Sequence, residues 1–423
     1  MFQLDIKLFK KNYLSYFLGI IIPGIINFSL IPLLKSGLEK EVFSTYSFYL
    51  SAFLLVNSSV TGMISQSVIR LHIKEVQAGN KSFYLNSIFI TFFITLIFLF
   101  PFSVFFFGKI LFSPLAIIFY VTMFVANAYI TLMSISQANF SANLVAFSEI
   151  ARSVLFISFA VLFAGFYETS VDVETLFSFQ LISYTVSMLI ILFFVPRKIF
   201  DKTSFSQKQL IQQLGKIMSY GGYLFIWFFT SYLIANGNRF VLSSYWGKSS
   251  IGEFTAVFDM ISKSIVMLLS PVLLSIFPIA VKAFELGQFD SVNKTISRII
   301  RIELLVMFLI VICYYIFGYQ LLTRLLMIEE GKYRETGVLI VIATFIWQIS
   351  MVKHKILELT MKGKTMVKFI TISLVVTFSF DLYFCRLGDG YAVIGFLFGA
   401  MTYYGLCHRY CVNIFSSLSK VNS

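Results

Sequence analysis

Seven charged residues lie inside stretches that are otherwise apolar: Arg152, Arg239, Asp259, Lys263, Lys353, Lys355 and Glu358. A charge at the centre of a membrane helix costs at least about 2.5 kcal/mol on insertion scales, so such residues turn toward a bundle interior or a wet cavity. Arg239, Lys355 and Glu358 are close enough to an interface for their stems to snorkel. Arg152 and Lys263 fall near mid-span and are expected inside the bundle. Cations outnumber acids in this set, which suits an anionic ligand. The planar fork of Arg suits phosphate in particular. In the segment FTAVFDMISKSIVMLLSP, Asp259 and Lys263 are spaced i, i+4 with the acid first, the favourable order for pairing on one helical face. Such a pair neutralises itself during insertion. In a second reading, Lys263 exchanges Asp259 for a substrate diphosphate, leaving the acid free to take a cation or a proton.

Uncharged polar residues add two stripes. Asn57, Thr61 and Ser65 recur on one helical face, and Asn127, Thr131 and Ser134 on another, with the run SQAN (136–139) continuing the second. Such residues tie helices together through hydrogen bonds. Two neighbouring stripes would equally suit a wet cavity offering hydroxyl and amide partners to a sugar, and both readings stay open.

The elements that must position these groups are membrane helices. The chain has 423 residues, 58% of them hydrophobic and only 13% charged, against roughly 25% charged in a soluble domain. Its mean hydropathy is +0.86. This excludes a soluble globular protein. About twelve runs reach the length of roughly 20 apolar residues needed to span. They lie near 13–34, 43–68, 84–107, 110–133, 144–166, 174–195, 217–240, 254–278, 302–318, 338–360, 367–386 and 391–415. The fold class is therefore an all-α polytopic membrane protein. The first run is too long for a signal peptide and is read as a retained span. Connections are short, leaving no room for a separate catalytic domain.

Most Lys and Arg outside the spans fall on one side if the N-terminus is cytoplasmic. Lys7, Lys10 and Lys11 open that side, and Arg197, Lys198, Lys202, Lys208 and Lys216 form its densest cluster. The opposite loops carry acids such as Glu168, Asp172 and Glu174. The positive-inside rule then puts both termini in the cytoplasm. The net charge of +13 is spread thinly between apolar runs, so no nucleic acid is implied. The basic connector 201–216 separates an N-terminal lobe of six spans, 1–200, from a C-terminal lobe of six, 217–423. Laying 65–79 over 273–287 pairs Ser67 with Ser275, Lys74 with Lys282 and Gly79 with Gly287. Repeated halves of this kind are common in transporters. Prolines Pro23, Pro32, Pro101, Pro114, Pro271 and Pro278 sit in or beside spans, where they kink helices that move or enclose a cavity.

Cys407, His408 and Cys411 resemble a ligand cluster, yet one turn of an apolar helix accounts for them, and neither a metal nor a disulfide framework is expected. There is no G-x-x-x-x-G-K-[ST] phosphate loop, so ATP is not the direct drive and no cofactor is implied.

These residues sit in a familiar pattern. The opening NYLSYFLGIIIPGIINFSLIPLLKSG, the element Ser44-Thr45-Tyr46-Ser47 and the second span ending in Arg70 resemble polysaccharide exporters of the Wzx type. These belong with multidrug antiporters of the MATE kind and the peptidoglycan lipid flippase in one superfamily, MOP. In the second half, ANGNRFVLSSYWGKSSIGEFTAVF (235–258), SIFPIAVK (275–282) and ELTMKGKT (358–365) resemble the corresponding junctions. Gly252-Glu253-Phe254-Thr255 fills the same slot as the Ser44 element. One departure is Asn238 before Arg239, where the family commonly carries Asp, so a role for that acid in cation coupling does not carry over.

The resemblance implies a V-shaped bundle of two six-helix lobes in the bacterial inner membrane. It further implies a flippase, not an enzyme, that moves a polyprenyl-diphosphate-linked oligosaccharide of the O-antigen or lipopolysaccharide kind between leaflets. Arg152, Arg239, Lys263 and Lys353 are then candidates for the diphosphate, and Asn57 and Asn127 for the sugar. Asp259 is the candidate for coupling to H+ or Na+. Membrane lipids and the glycan polymerase machinery are the expected partners. Two other functions compete. A cation-coupled multidrug exporter of the same fold would favour an acidic cavity. A membrane glycan polymerase would need a large outer loop, and none is present.

Overall fold

The computed structural model describes residues 6–77, 82–107, 113–139, 141–166, 171–195, 207–248, 251–285, 288–329, 331–360 and 362–421. Side chains are described for most of these, but not for 6–17, 73–74, 76–77, 99–107, 164–166, 270–283, 285 and 415–421. The described residues are almost all helical, without a strand. In hydrocarbon every backbone polar group has to be satisfied within its own segment, which a helix does.

The chain divides into two compact units, 1–229 and 230–423. The first holds α1 (Ile6–Gly37), α2 (Lys40–Gln77), α3 (Phe83–Phe107), α4 (Pro114–Ala138), α5 (Ala142–Phe166), α6 (Val173–Phe194) and most of α7 (Gln207–Asn236). The second holds the end of α7, then α8 (Asn238–Trp246), α9 (Gly252–Glu285), α10 (Phe289–Cys313), α11 (Tyr319–Leu326), α12 (Arg334–Leu359), α13 (Gly363–Phe384) and α14 (Val393–Val421). A π-helical turn, Tyr314–Gly318, joins α10 to α11. Ten helices among the described residues are long and apolar enough to cross a membrane, and Phe83–Phe98 is a shorter apolar one.

Local chemistry sets the helix ends. Ser113 caps α4 by accepting from the Ala116 N–H at 3.2 Å, with Pro114 in the first helical position. Asp172 caps α6 through the Thr175 N–H at 2.8 Å. Pro23 and Pro32 lie within α1. Pro101, Pro271 and Pro278 fall where side chains are not described, as do Lys74 and Lys282 of the suggested repeat, whose Gly79 and Gly287 lie outside the described residues. So does the connector up to residue 206; from Gln207 it is already α7. The expected ninth span also lengthens, because the amphipathic stretch 289–301 continues the same helix.

In the first unit α2 and α6 flank α4, and α1 packs on α5. A Cβ at Gly19 would lie 2.8 Å from Cα of Ala146, so α1 and α5 approach backbone to backbone. Phe53, Phe119 and Phe177 form an edge-to-face core with centroids 5.9 and 5.4 Å apart. In the second unit α14 lies against α12 and α13, and α12 against α9 and α10. The usual arrangement of a soluble protein is inverted. Phe193, Leu96, Val375, Leu305 and Phe308 are exposed, whereas Asn127, Thr131, Ser350, Thr377 and Asp381 are buried.

Candidate functional site

Arg152 sits on α5 one turn after Glu149. Its Nε and Nη2 both donate to Oε2 of Glu149, at 3.1 and 2.9 Å. Its guanidinium lies over the Tyr184 ring of α6, 5.2 Å from the centroid. Tyr184 meets Tyr129 of α4 at 5.8 Å, and the Tyr129 hydroxyl donates to Ser148 Oγ at 3.3 Å. Arg152 thus occupies a pocket of one carboxylate and two tyrosines.

The polar stripes of the first unit meet each other. Asn57 Nδ2 on α2 donates to Asn127 Oδ1 on α4 at 2.8 Å, and Asn127 Nδ2 donates to Thr95 Oγ1 on α3 at 2.9 Å. Thr91 and Thr131 pair at 3.0 Å, and Ser134 donates to Ser65 at 2.6 Å. This is the arrangement the interhelical reading describes. Thr91 and Thr95 of α3 are members that the stripes on the second and fourth spans did not reveal.

In the second unit three charges meet next to a helix junction. The seventh span, expected to run unbroken to residue 240, ends at Asn236, and after Gly237 a separate short helix starts at Asn238. A Cβ at Gly237 would meet the Leu233 carbonyl and come within 3.2 Å of Phe378, so a side chain there would clash. On the far side Arg239 is buried at 3% exposure, and its Nη2 donates to Oδ1 of Asp259 on α9. The other oxygen of Asp259 accepts from Lys263 Nζ at 2.9 Å. The Arg239 guanidinium also lies 5.4 Å from the Phe258 ring centroid. Two cations share one carboxylate, leaving the cluster with a net positive charge. Arg239 is its inner member, while the Lys263 side chain is 47% exposed.

Lys353 lies on α12, 6% exposed. Lys355 and Glu358 pair with each other one turn on, at 2.8 Å to both carboxylate oxygens. The sequence reading passed over three further acids within spans. Glu149 is paired as described. Glu303 on α10 and Asp381 on α13 are 1% and 0% exposed, and none of their carboxylate oxygens has a hydrogen-bond partner among the described residues. Counting them equalises the basic and acidic residues within the spans: Arg152, Arg239, Lys263, Lys353 and Lys355 stand beside Glu149, Asp259, Glu303, Glu358 and Asp381. The positive character is local to the Asp259 cluster. Cys407 and Cys411 are buried free thiols, His408 stacks on Tyr404, and no metal-holding cluster occurs among the described residues.

A second polar cluster closes the N-terminal ends of α9, α12 and α14. Lys332 donates to Glu253 at 2.7 Å and lies 4.0 Å from Asp389, to which the Tyr333 hydroxyl also donates. Partial burial works against the Lys332 charge, but the hydrogen bond and field of Glu253, with Asp389 and Glu329 behind it, hold its pKa above the ordinary lysine value.

Among solved structures, an inward-facing multidrug resistance MATE family transporter of the MOP superfamily aligns over 96% of both chains, with TM-score 0.73 and 16% identity. Its outward-facing conformation gives TM-score 0.69 over 98% of this chain and 96% of that one, also at 16% identity. A MOP superfamily transporter from Pyrococcus furiosus, whose reversed pocket polarity suggested a different function, gives 0.69 at 15% identity over 97% and 96%. At these identities the likeness establishes the fold, which is that of the MATE-like transporters. No curated protein matches the chain. Residues 9–284 match the family model described as "Polysaccharide biosynthesis protein", and the chain belongs to that family.

Proposed function

We propose that the protein is a flippase that carries a polyprenyl-diphosphate-linked oligosaccharide, an O-antigen or related surface glycan unit, across the bacterial inner membrane by alternating access. Both termini face the cytoplasm, and the 1–200 and 217–423 lobes are the moving halves. Membership in the polysaccharide biosynthesis family on a transporter fold supports a glycan-related cargo. The observation that carries the reading further is the shared carboxylate of Asp259. A diphosphate needs cations within the bilayer, and here one cation is exposed enough to leave its partner. Lys263 can swing to the diphosphate while Arg239 keeps Asp259 neutralised. For the same reason Asp259 is a poor coupling acid, since the departure of Lys263 does not empty it. Arg152 and Lys353 are secondary phosphate contacts. Asn57 and Asn127 can serve the sugar only by giving up the bond between them. The lipid tail stays in the bilayer, and contact with the glycan polymerase follows from the shared substrate.

The test is a reconstituted flipping assay with a fluorescent polyprenyl-diphosphate oligosaccharide and an enzyme that trims only outer-leaflet sugar. Lys263→Ala is expected to slow flipping at least tenfold, with normal insertion. Wild-type rates in Lys263→Ala, or transport of a hydrophobic cation in place of the glycolipid, would overturn the proposal.

A further inference from the structure

Helix α12 carries a chain of exchangeable protons that the diphosphate and sugar contacts do not use. The His354 ring is 1% exposed, with Nδ1 2.6 Å from the Tyr403 hydroxyl on α14. Its Nε2 lies 3.1 Å from Oε1 of Glu358, one turn further along α12. Both Glu358 oxygens in turn take hydrogen bonds from Lys355. The Glu358 and Lys355 side chains are 27% and 32% exposed, while Tyr403 is wholly buried. The chain therefore begins at a partly exposed rim and ends inside the bundle.

A histidine between a hydroxyl and a carboxylate has two accessible forms. Neutral, with its hydrogen on Nε2, it faces the Glu358 carboxylate at 3.1 Å and accepts the Tyr403 hydroxyl at Nδ1. Charged, it donates from both nitrogens, and the Tyr403 hydroxyl turns to accept. One proton and one hydroxyl rotation interconvert the two forms, without moving a helix. An amide at this position would join α12 to α14 as well, but it has no second protonation state. Other titratable groups on helices packed against α12 include Asp259 and Lys263 on α9, Lys294, Arg298, Arg301 and Glu303 on α10, Tyr314 in the π-turn, Lys364, Lys368 and Asp381 on α13, and Tyr404, Cys407, His408, Arg409 and Cys411 on α14. Lys353 precedes the histidine on its own helix. Asp259 is occupied by Arg239 and Lys263. Glu358 is the carboxylate in hydrogen-bond reach of the ring.

We propose that His354 is a proton-loading site, filled from the rim through Glu358 and sensed on α14 by Tyr403. Its use for coupling rests on the transporter reading; proton binding itself does not.

Trp347 reports the event, because its ring lies 5.6 Å from that of Tyr403. Replacing Trp227 and Trp246 by Phe leaves it as the sole tryptophan of three. Its emission is then titrated on the purified full chain without substrate. A single one-proton transition is expected as the pH is lowered. It should vanish in His354→Gln. In Glu358→Gln its midpoint should fall by about one unit, because the lost carboxylate favours the imidazolium. A titration unaltered in His354→Gln, or a midpoint unmoved or raised in Glu358→Gln, overturns the proposal, and the second variant decides alone if the first does not fold. Failure of the flippase reading would appear separately, as absent glycolipid transport with the titration intact.

Discussion

Arg152 and Glu149 form an ion pair within one turn of α5, both donor nitrogens of the arginine resting on a single carboxylate oxygen. Their side chains are 17% and 19% exposed, so the pair is largely withdrawn from solvent. Removing one member of a buried pair costs more than the pair contributes, because the survivor stays buried and uncompensated. Glu149→Gln is expected to destabilise the protein by about 1–3 kcal/mol, read as a lower unfolding midpoint in detergent. The double variant with Arg152→Met should recover most of that loss.

The Asp259 cluster gives an asymmetric expectation. Asp259→Asn takes the carboxylate away from Arg239, 3% exposed, and should cost about 3–5 kcal/mol or abolish expression. Lys263→Ala removes a half-exposed partner and should cost no more than about 1 kcal/mol. Thermal melts of both variants check the order; equal losses would contradict the description of Arg239 as the inner member.

A double-mutant cycle on Asn57 and Asn127 separates a tie between helices from a sugar contact. A coupling of about 0.6 kcal/mol is expected, the average for hydrogen bonds between membrane helices. Coupling in stability with flipping rate unchanged assigns the pair to packing alone.

Lys332 sets a pH expectation outside the membrane. Its pKa in the folded protein is above the ordinary 10.5. Its contribution to stability is therefore complete below that value and is lost as pH rises through the folded pKa. The advantage of wild type over Lys332→Met in unfolding temperature should stay constant from neutral pH to about 10 and shrink above it.

Much of the fold was legible because a span is defined by twenty residues at once, so single errors average out. The same averaging hid the acids: Glu149, Glu303 and Asp381 lie in windows whose mean is apolar. Lys263 was visible as a partner of Asp259 because their spacing is one turn of one helix. Arg239 was not, since it meets Asp259 from a different helix, twenty residues away along the chain. Partners across helices, such as Asn57 with Asn127 or His354 with Tyr403, are set by packing and leave no local trace.

Gly395 and Gly399 on α14 let the Asp381 and Thr377 side chains of α13 lie against the α14 backbone. A Cβ at Gly395 would collide with the Asp381 carboxyl, and one at Gly399 with the Thr377 hydroxyl. Two helices keyed this closely cannot slide past one another, because every register but one sets a carboxyl or hydroxyl against a main chain. Mechanically they are a single double-width strut. Motion within the second unit has to carry the strut whole.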